Sequence, residues 1–201
     1  MDLFKFDDTF NLLPYDGTVN YFGVVLAPKS SDDYFNCLFQ KVEWKKDQVV
    51  IFGKHITTKR KIAWYGDKNY HYSYSNTTKR ALPWFTELIE LKAMVEEKAK
   101  VTFNSCLINL YHDGDEGVAW HSDDEYSLDS NGAIASLSFG AKRKFSFKHK
   151  SSKEVVSLEL EAGSLLIMKG ETQHYWLHSL PKTRKVSEPR INLTFRVMKQ
   201  Q

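Results

Sequence analysis

The sequence is short of several things, and each shortage removes a class of protein. It has two cysteines, Cys37 and Cys106. Both lie among apolar residues at a spacing that suits neither a metal knuckle nor a disulfide framework, so reduced, buried thiols are expected. No segment approaches about eighteen uninterrupted apolar residues, which leaves no candidate membrane helix. The opening MDLFKFDDTF is acidic and carries no basic stretch followed by an apolar run, so it does not read as a secretory leader. An intracellular protein is expected, cytoplasmic or nuclear according to source. Internal repeats, linkers and low-complexity tracts are also missing.

The chain does have enough apolar material for one filled core: 201 residues at 42% hydrophobic and 14% aromatic. That is too short for two ordinary domains, and a single monomeric domain is the first reading. The net charge is only +3 but unevenly spread. Lys59, Arg60 and Lys61 form one basic cluster, Lys142, Arg143, Lys144, Lys148 and Lys150 a second, and Lys182, Arg184 and Lys185 a third. Clusters of this kind set a phosphate-tracking surface, although each alone also fits a solvated face.

Read in order, the chain begins with a short apolar strand over 21–27. An amphipathic helix follows, capped by Ser30 or Ser31, with Asp32 and Asp33 in its first turn. Residues 48–52 and 55–65 form two β-branched runs around Gly53-Lys54, a hairpin with Phe52 near its tip. Tyr70, Tyr72 and Tyr74 alternate along the next segment, either as core or as a base-stacking wall. Pro83 opens a helix running to about Lys100, with an apolar stripe. From Val101 the pattern changes to short strands over 103–111, 133–139, 144–149, 155–160, 164–168, 174–179 and 191–197. A mainly β protein is expected, a sandwich or jelly roll with supporting helices. Residues 1–100 would supply helices and hairpins, and 101–201 the core.

The chemistry centres on NLYHDGDEGVAWHSDDE, residues 109–125. His121 and Asp123 stand two apart, so in extended backbone both leave from one face. One more ligand would complete the 2-His-1-carboxylate set of a non-haem iron centre. Alone, the pair also fits two solvated residues on a loop. The polar turn around Gly114 and Gly117 is expected to give the metal an accessible mouth. His149, His174 and His178 are candidates for the third ligand. Parity puts the last two on one face of an extended strand, and spacing does not choose between them. In PRINLTFR, residues 189–196, Arg190, Asn192, Thr194 and Arg196 alternate with Ile191, Leu193 and Phe195. Two arginines on one face suit a dicarboxylate.

NLY, HSDDE, HSLP at 178–181 and PRINLTFR follow one another in an order and spacing that resemble the AlkB-like Fe(II)/2-oxoglutarate dioxygenases, in particular their DNA-repair branch. The resemblance covers roughly residues 48–197. It implies a double-stranded β-helix, with His121, Asp123 and His178 as iron ligands. It places Asn109, Tyr111, Arg190, Asn192, Thr194 and Arg196 around 2-oxoglutarate. It further implies O2-dependent removal of N-methyl groups, as formaldehyde, from bases such as 1-methyladenine and 3-methylcytosine, with CO2 and succinate as co-products. The target base would be flipped out of the duplex or already single-stranded. Phe52, Gly53 and Lys54 match the family's hairpin wedge, Tyr72 and Tyr74 its pocket aromatics, and Asp124 and Glu125 readers of the base edge. Arg60 and the run Lys182–Lys185 match phosphate contacts. Tyr74 stands where a Phe is familiar, and Thr183 interrupts the basic run. RNA or single-stranded DNA is the alternative substrate, and a non-catalytic nucleic-acid-binding jelly roll the alternative class.

Overall fold

The computed structural model describes residues 10–51, 54–68, 71–74 and 77–199, with backbone alone at 49–51, 54–56, 71–74 and 77–79. In chain order its elements are β1 (Thr18–Val24), α1 (Pro28–Lys41), β2 (Lys45–Ile51), β3 (Lys54–Gly66), β4 (His71–Tyr74), β5 (Thr77–Arg80), α2 (Thr86–Ala99) and β6 (Ser105–Tyr111). Then come β7 (Val118–His121), β8 (Ile134–Gly140), β9 (Arg143–His149), β10 (Val155–Leu160), β11 (Ser164–Lys169), α3 (Thr172–Tyr175), β12 (Trp176–Leu180) and β13 (Arg190–Arg196).

A seven-stranded sheet ordered β1-β11-β8-β13-β6-β3-β2 faces a four-stranded sheet ordered β10-β9-β12-β7. All their pairings are antiparallel. This is the expected jelly roll, mainly β with helical support. Strands from the first half of the chain, β1, β2 and β3, belong to the same large sheet as the later core strands. Among the described residues no helix is long and apolar enough to cross a membrane.

Alternation along the strands builds two hydrophobic layers. Ile191, Leu193 and Phe195 of β13 share one core with Ile108 and Leu110 of β6, Leu137 and Phe139 of β8, and Leu38, Leu88, Leu91 and Val95 from the two long helices. Between the sheets, Val19, Phe147, Leu166, Met168 and Trp176 make a second core. Most inward positions of β6, β8 and β13 beside that second core are polar, among them Asn109, Ser136, Asn192 and Thr194.

Several local expectations shift. The first strand is Thr18–Val24 rather than 21–27. The first helix starts at Pro28, with Ala27 as a cap that offers no side-chain bond. Proline's preset φ opens the helix earlier than the serines would, since it loses no helical N–H there. The second helix starts at Thr86, three residues after Pro83. Both cysteines are free thiols, with Cys106 buried and Cys37 only partly so.

Candidate active site

β7 and β12 run antiparallel with His121 directly opposite His178, which brings their ring centroids to 4.3 Å. Asp123 lies just beyond β7, and one ligand atom from each of the three residues falls within 4.8 Å of the others. His121 Nδ1–H donates to the Ala119 carbonyl at 2.9 Å. This fixes the tautomer that leaves the Nε2 lone pair free. Arg196 donates to Asp123 through Nε at 3.1 Å and through a terminal nitrogen at 2.7 Å, both on Oδ2. Oδ1 is left on the side of His121, 3.9 Å from its Nε2. His121 therefore presents its Nε2 lone pair and Asp123 one free oxygen, with His178 completing the cluster.

The charge states follow from the surroundings. Burial is the largest single influence and would raise the Asp123 carboxyl, but the charge and hydrogen bonds of Arg196 together with the two histidines outweigh it, holding the group at about 2. Burial pushes His178 down to about 3 against the opposing pull of Asp123, so the imidazole is a neutral donor near pH 7. Unfolded His178 takes up a proton as pH falls below about 6.5, while the folded group stays neutral until about 3. Across that window the metal-free protein is expected to lose stability with falling pH, by about 1.4 kcal/mol per unit from this group. Urea unfolding of wild type and His178→Gln checks this: the variant's slope between pH 6 and 4 is expected to be shallower by that amount.

The triad opens onto a cavity of about 210 Å³ between the sheets. Asn109, Tyr111, Arg190, Asn192, Thr194 and Arg196 all line it, so every residue expected around 2-oxoglutarate stands in one wall. They converge because β13 pairs with β6, placing Asn192 opposite Asn109 and Arg190 opposite Tyr111. Asn192 donates to Ser136 Oγ at 2.8 Å, and Thr194 donates to Asn192 Oδ1 at 3.1 Å. Arg190 is 2% exposed. It donates to Ser138 Oγ at 2.9 Å, lies 5.6 Å from the Tyr111 ring centroid, and has a buried Nε without a partner. Burial lowers its guanidinium to about 10. A buried cation beside an unused donor fits an anionic group of a ligand, and the His-Asp-His donor set fits a divalent metal.

A model of the 2OG-Fe(II) oxygenase superfamily matches residues 18–196. The mouse DNA oxidative demethylase ALKBH2 is 40% identical over 184 residues, 86% of this chain and 77% of that protein. The chain belongs to this superfamily, in its AlkB-like branch. Mouse alpha-ketoglutarate-dependent dioxygenase alkB homolog 3 is 47% identical over 117 residues. The chain spans 41% of that relative's length and 66% of bovine ALKBH2. The solved structure of OsALKBH1, 15% identical, superposes with a TM-score of 0.58 over 92% of this chain and 99% of its own, a likeness of fold.

Other expected residues of this AlkB-like chain fall in several places. Arg60, read as a phosphate contact, is an inward residue: it pairs with Asp47, stands 5.9 Å from the Tyr111 ring centroid and lines the cavity. Glu125 also lines the cavity, and burial raises its carboxyl. Asp124 is exposed and accepts from Ser122 Oγ at 3.1 Å. Phe52, Gly53 and Tyr70 lie outside the described residues. Lys54, Tyr72 and Tyr74 lie on strands, with side chains outside the description. His149 is not in the site; its Nε2 faces Asp16 Oδ2 at 3.3 Å. His174 falls in the α3 turn rather than an extended strand, so the parity that paired it with His178 fails.

The Gly114 turn is a clasp rather than a mouth. Buried Arg143 donates to the carbonyls of Asp113, Glu116 and Pro181 at 3.1, 2.8 and 3.0 Å. Gly114 exchanges main-chain bonds with Thr183 and Val186 at 2.8 Å, and a Cβ on it would meet the Thr183 oxygen at 2.1 Å. Glycine is required there by close approach.

Gln173 carried no sequence signal. Its Oε1 accepts the Asp123 N–H at 2.9 Å and its Nε2 donates to Met168 Sδ at 3.3 Å, so a buried amide fixes the main chain of a triad residue. Gln173→Leu is expected to weaken Co(II) binding roughly 10- to 100-fold, the usual cost of losing a group that orients a ligand. Titration of the metal's visible absorption checks it, and unchanged affinity would show that Gln173 does not hold Asp123 in place.

Proposed function

We propose that this AlkB-like protein is an oxidative demethylase of N-alkylated bases in DNA, acting inside the cell as a single monomeric domain. In this reading the first hundred residues supply substrate-recognition hairpins and the rest the catalytic core. The observation that carries the cofactor assignment is the meeting, in one cavity, of three directed metal donors and a buried arginine with an unused donor. The substrate assignment is supported by relatives named DNA oxidative demethylase in mouse and human, each 40% identical over 86% of this chain.

His121, Asp123 and His178 would hold the iron. Arg190 and Arg196 would take the carboxylates of 2-oxoglutarate, with Asn109, Tyr111, Asn192 and Thr194 shaping the wall. When bound, iron, keto acid and O2 together supply the oxidation that yields succinate and CO2 and converts an N-methyl group to formaldehyde. The protein's residues do the positioning. His121 and His178 turn ring nitrogens to one point, and Arg196 restrains Asp123 to one free oxygen. Asp124 and Glu125 follow Asp123 directly and would meet the edge of a base flipped toward the triad. Tyr72 and Tyr74 would stack that base, and Phe52 with Gly53 and Lys54 would fill the gap left in a duplex.

Formaldehyde release from 1-methyladenine oligonucleotides, single-stranded, duplex and RNA in parallel, tests the reading. Turnover on DNA that needs Fe(II), 2-oxoglutarate and O2 is expected. Consumption of 2-oxoglutarate without loss of any methyl group would show that the substrate class is wrong.

A further inference from the structure

β7 is an edge strand of the small sheet, and successive side chains along a strand leave from opposite faces. His121 faces the cavity, so Trp120 projects from the back of the same edge, where it is 38% exposed. Behind the sheet there is a second hollow, an open groove of about 480 Å³, with Trp120 at one side and Val155 at the other. Its floor is a row of small hydroxyl residues. Ser157, Ser146 and Ser179 lie side by side on β10, β9 and β12, the first two joined through their hydroxyls at 2.8 Å.

The charged residues that line this groove, Lys144 and Lys182, are both cationic. A third, Lys148, holds its ammonium 4.4 Å from the centroid of the Trp120 ring. Glu159 stands opposite Lys144 in register but does not line the groove. Among the described residues none of the three lysines forms an ion pair. Lys182 is held in place, because Pro181 before it binds Arg143 and Thr183 after it binds Gly114.

We propose that this groove is a second nucleic-acid site, taking the unpaired strand that flanks the base held in the cavity. The proposal rests on the nucleic-acid reading above and extends it to a surface outside the cavity. An exposed indole offers a stacking face, a serine floor lets a planar base approach closely, and a rim of lysines suits a phosphate chain. A base that stacks on Trp120 displaces Lys148, whose ammonium is then available to the adjoining phosphate. A strand passing over the β7 edge meets Trp120 next, since that residue stands directly behind His121.

Fluorescence anisotropy with an unmodified labelled oligothymidine tests the site without turnover. The proteins are wild type, Trp120→Ala, the pair Lys144→Glu/Lys148→Glu, and a charge-matched control at the exposed C-terminal end of α2, Lys98→Glu/Lys100→Glu. The groove pair is expected to weaken binding at least tenfold and to flatten the salt dependence by about 1.4 in log–log slope, while the control changes little. Trp120→Ala is expected to cost about tenfold. Turnover of a methylated trinucleotide, too short to reach the groove, should stay at the wild-type level in both groove variants, showing that they fold. Equal losses in groove and control variants would overturn the proposal, as would polyglutamate occupying the groove in preference to the oligonucleotide. If wild type demethylates the trinucleotide while groove variants bind the long strand normally, the groove assignment falls and the demethylase reading stands. If wild type neither binds nor demethylates any oligonucleotide, both fall.

Discussion

Asp123→Ala is expected to abolish turnover and, in the metal-free protein, to lower the melting temperature by about 10 °C. The two losses have different origins. Turnover fails because the triad loses its only carboxylate. Stability falls because Arg196, whose side chain is 15% exposed, loses the carboxylate it grips through two nitrogens. Removing one partner of a buried ion pair costs about 3–5 kcal/mol, and each kcal/mol is worth roughly 2–4 °C in a chain of this size. A double variant, Asp123→Ala/Arg196→Met, is expected to recover most of the melting temperature and none of the metal binding. Calorimetry with Co(II) titration on the same samples separates the effects. If the single variant melts with wild type, the pair is not the source of the stability.

Arg190→Met is expected to act in the opposite sense on stability. The guanidinium is buried, has one neutral hydroxyl partner in Ser138 and leaves Nε unpaired, so the ligand-free fold carries its desolvation cost with little return. Exchange for an apolar side chain of similar length should leave the unfolding free energy unchanged or raise it by about 1 kcal/mol. Binding of 2-oxoglutarate should suffer heavily: truncating one side of a buried hydrogen-bonded charge pair costs about 2–5 kcal/mol, or roughly 30- to 4000-fold in affinity. Co(II) affinity should change little, since Arg190 touches no member of the triad. Calorimetric titration of 2-oxoglutarate into the metal-loaded variant reads the loss directly. Wild-type affinity would mean that the carboxylate is held elsewhere.

The sequence made legible those parts of this arrangement that repeat with a period. Arg190, Asn192, Thr194 and Arg196 alternate with Ile191, Leu193 and Phe195, and strand geometry turns that alternation into a polar wall and an apolar back. The spacing of His121 and Asp123 was readable as well, although Asp123 lies beyond the strand end and its position depends on Gln173. The choice of His178 came from resemblance, because parity also admitted His174; the α3 turn between them breaks the alternation on which parity relies. Asp47 and Gln173 were silent for a different reason, and Arg143 showed only as one of a basic cluster. Each is a polar residue whose partners are main-chain atoms or distant side chains, and such pairings leave no pattern along the chain. Arg60 misled because a basic cluster looks the same whether its members face water or, like Arg60, turn inward to a buried aspartate.

The clasp around Gly114 bears on how this protein could diversify. Arg143, Gly114 and the carbonyl of Pro181 hold the start of the 182–185 segment through backbone groups, so its location does not depend on which side chains it carries. That makes Lys182–Lys185 an interchangeable cassette on a fixed mount: its charges can be added, lost or reversed by point substitution without moving the catalytic strands on either side. Gly114 itself has no such latitude, because any side chain there would strike the mount.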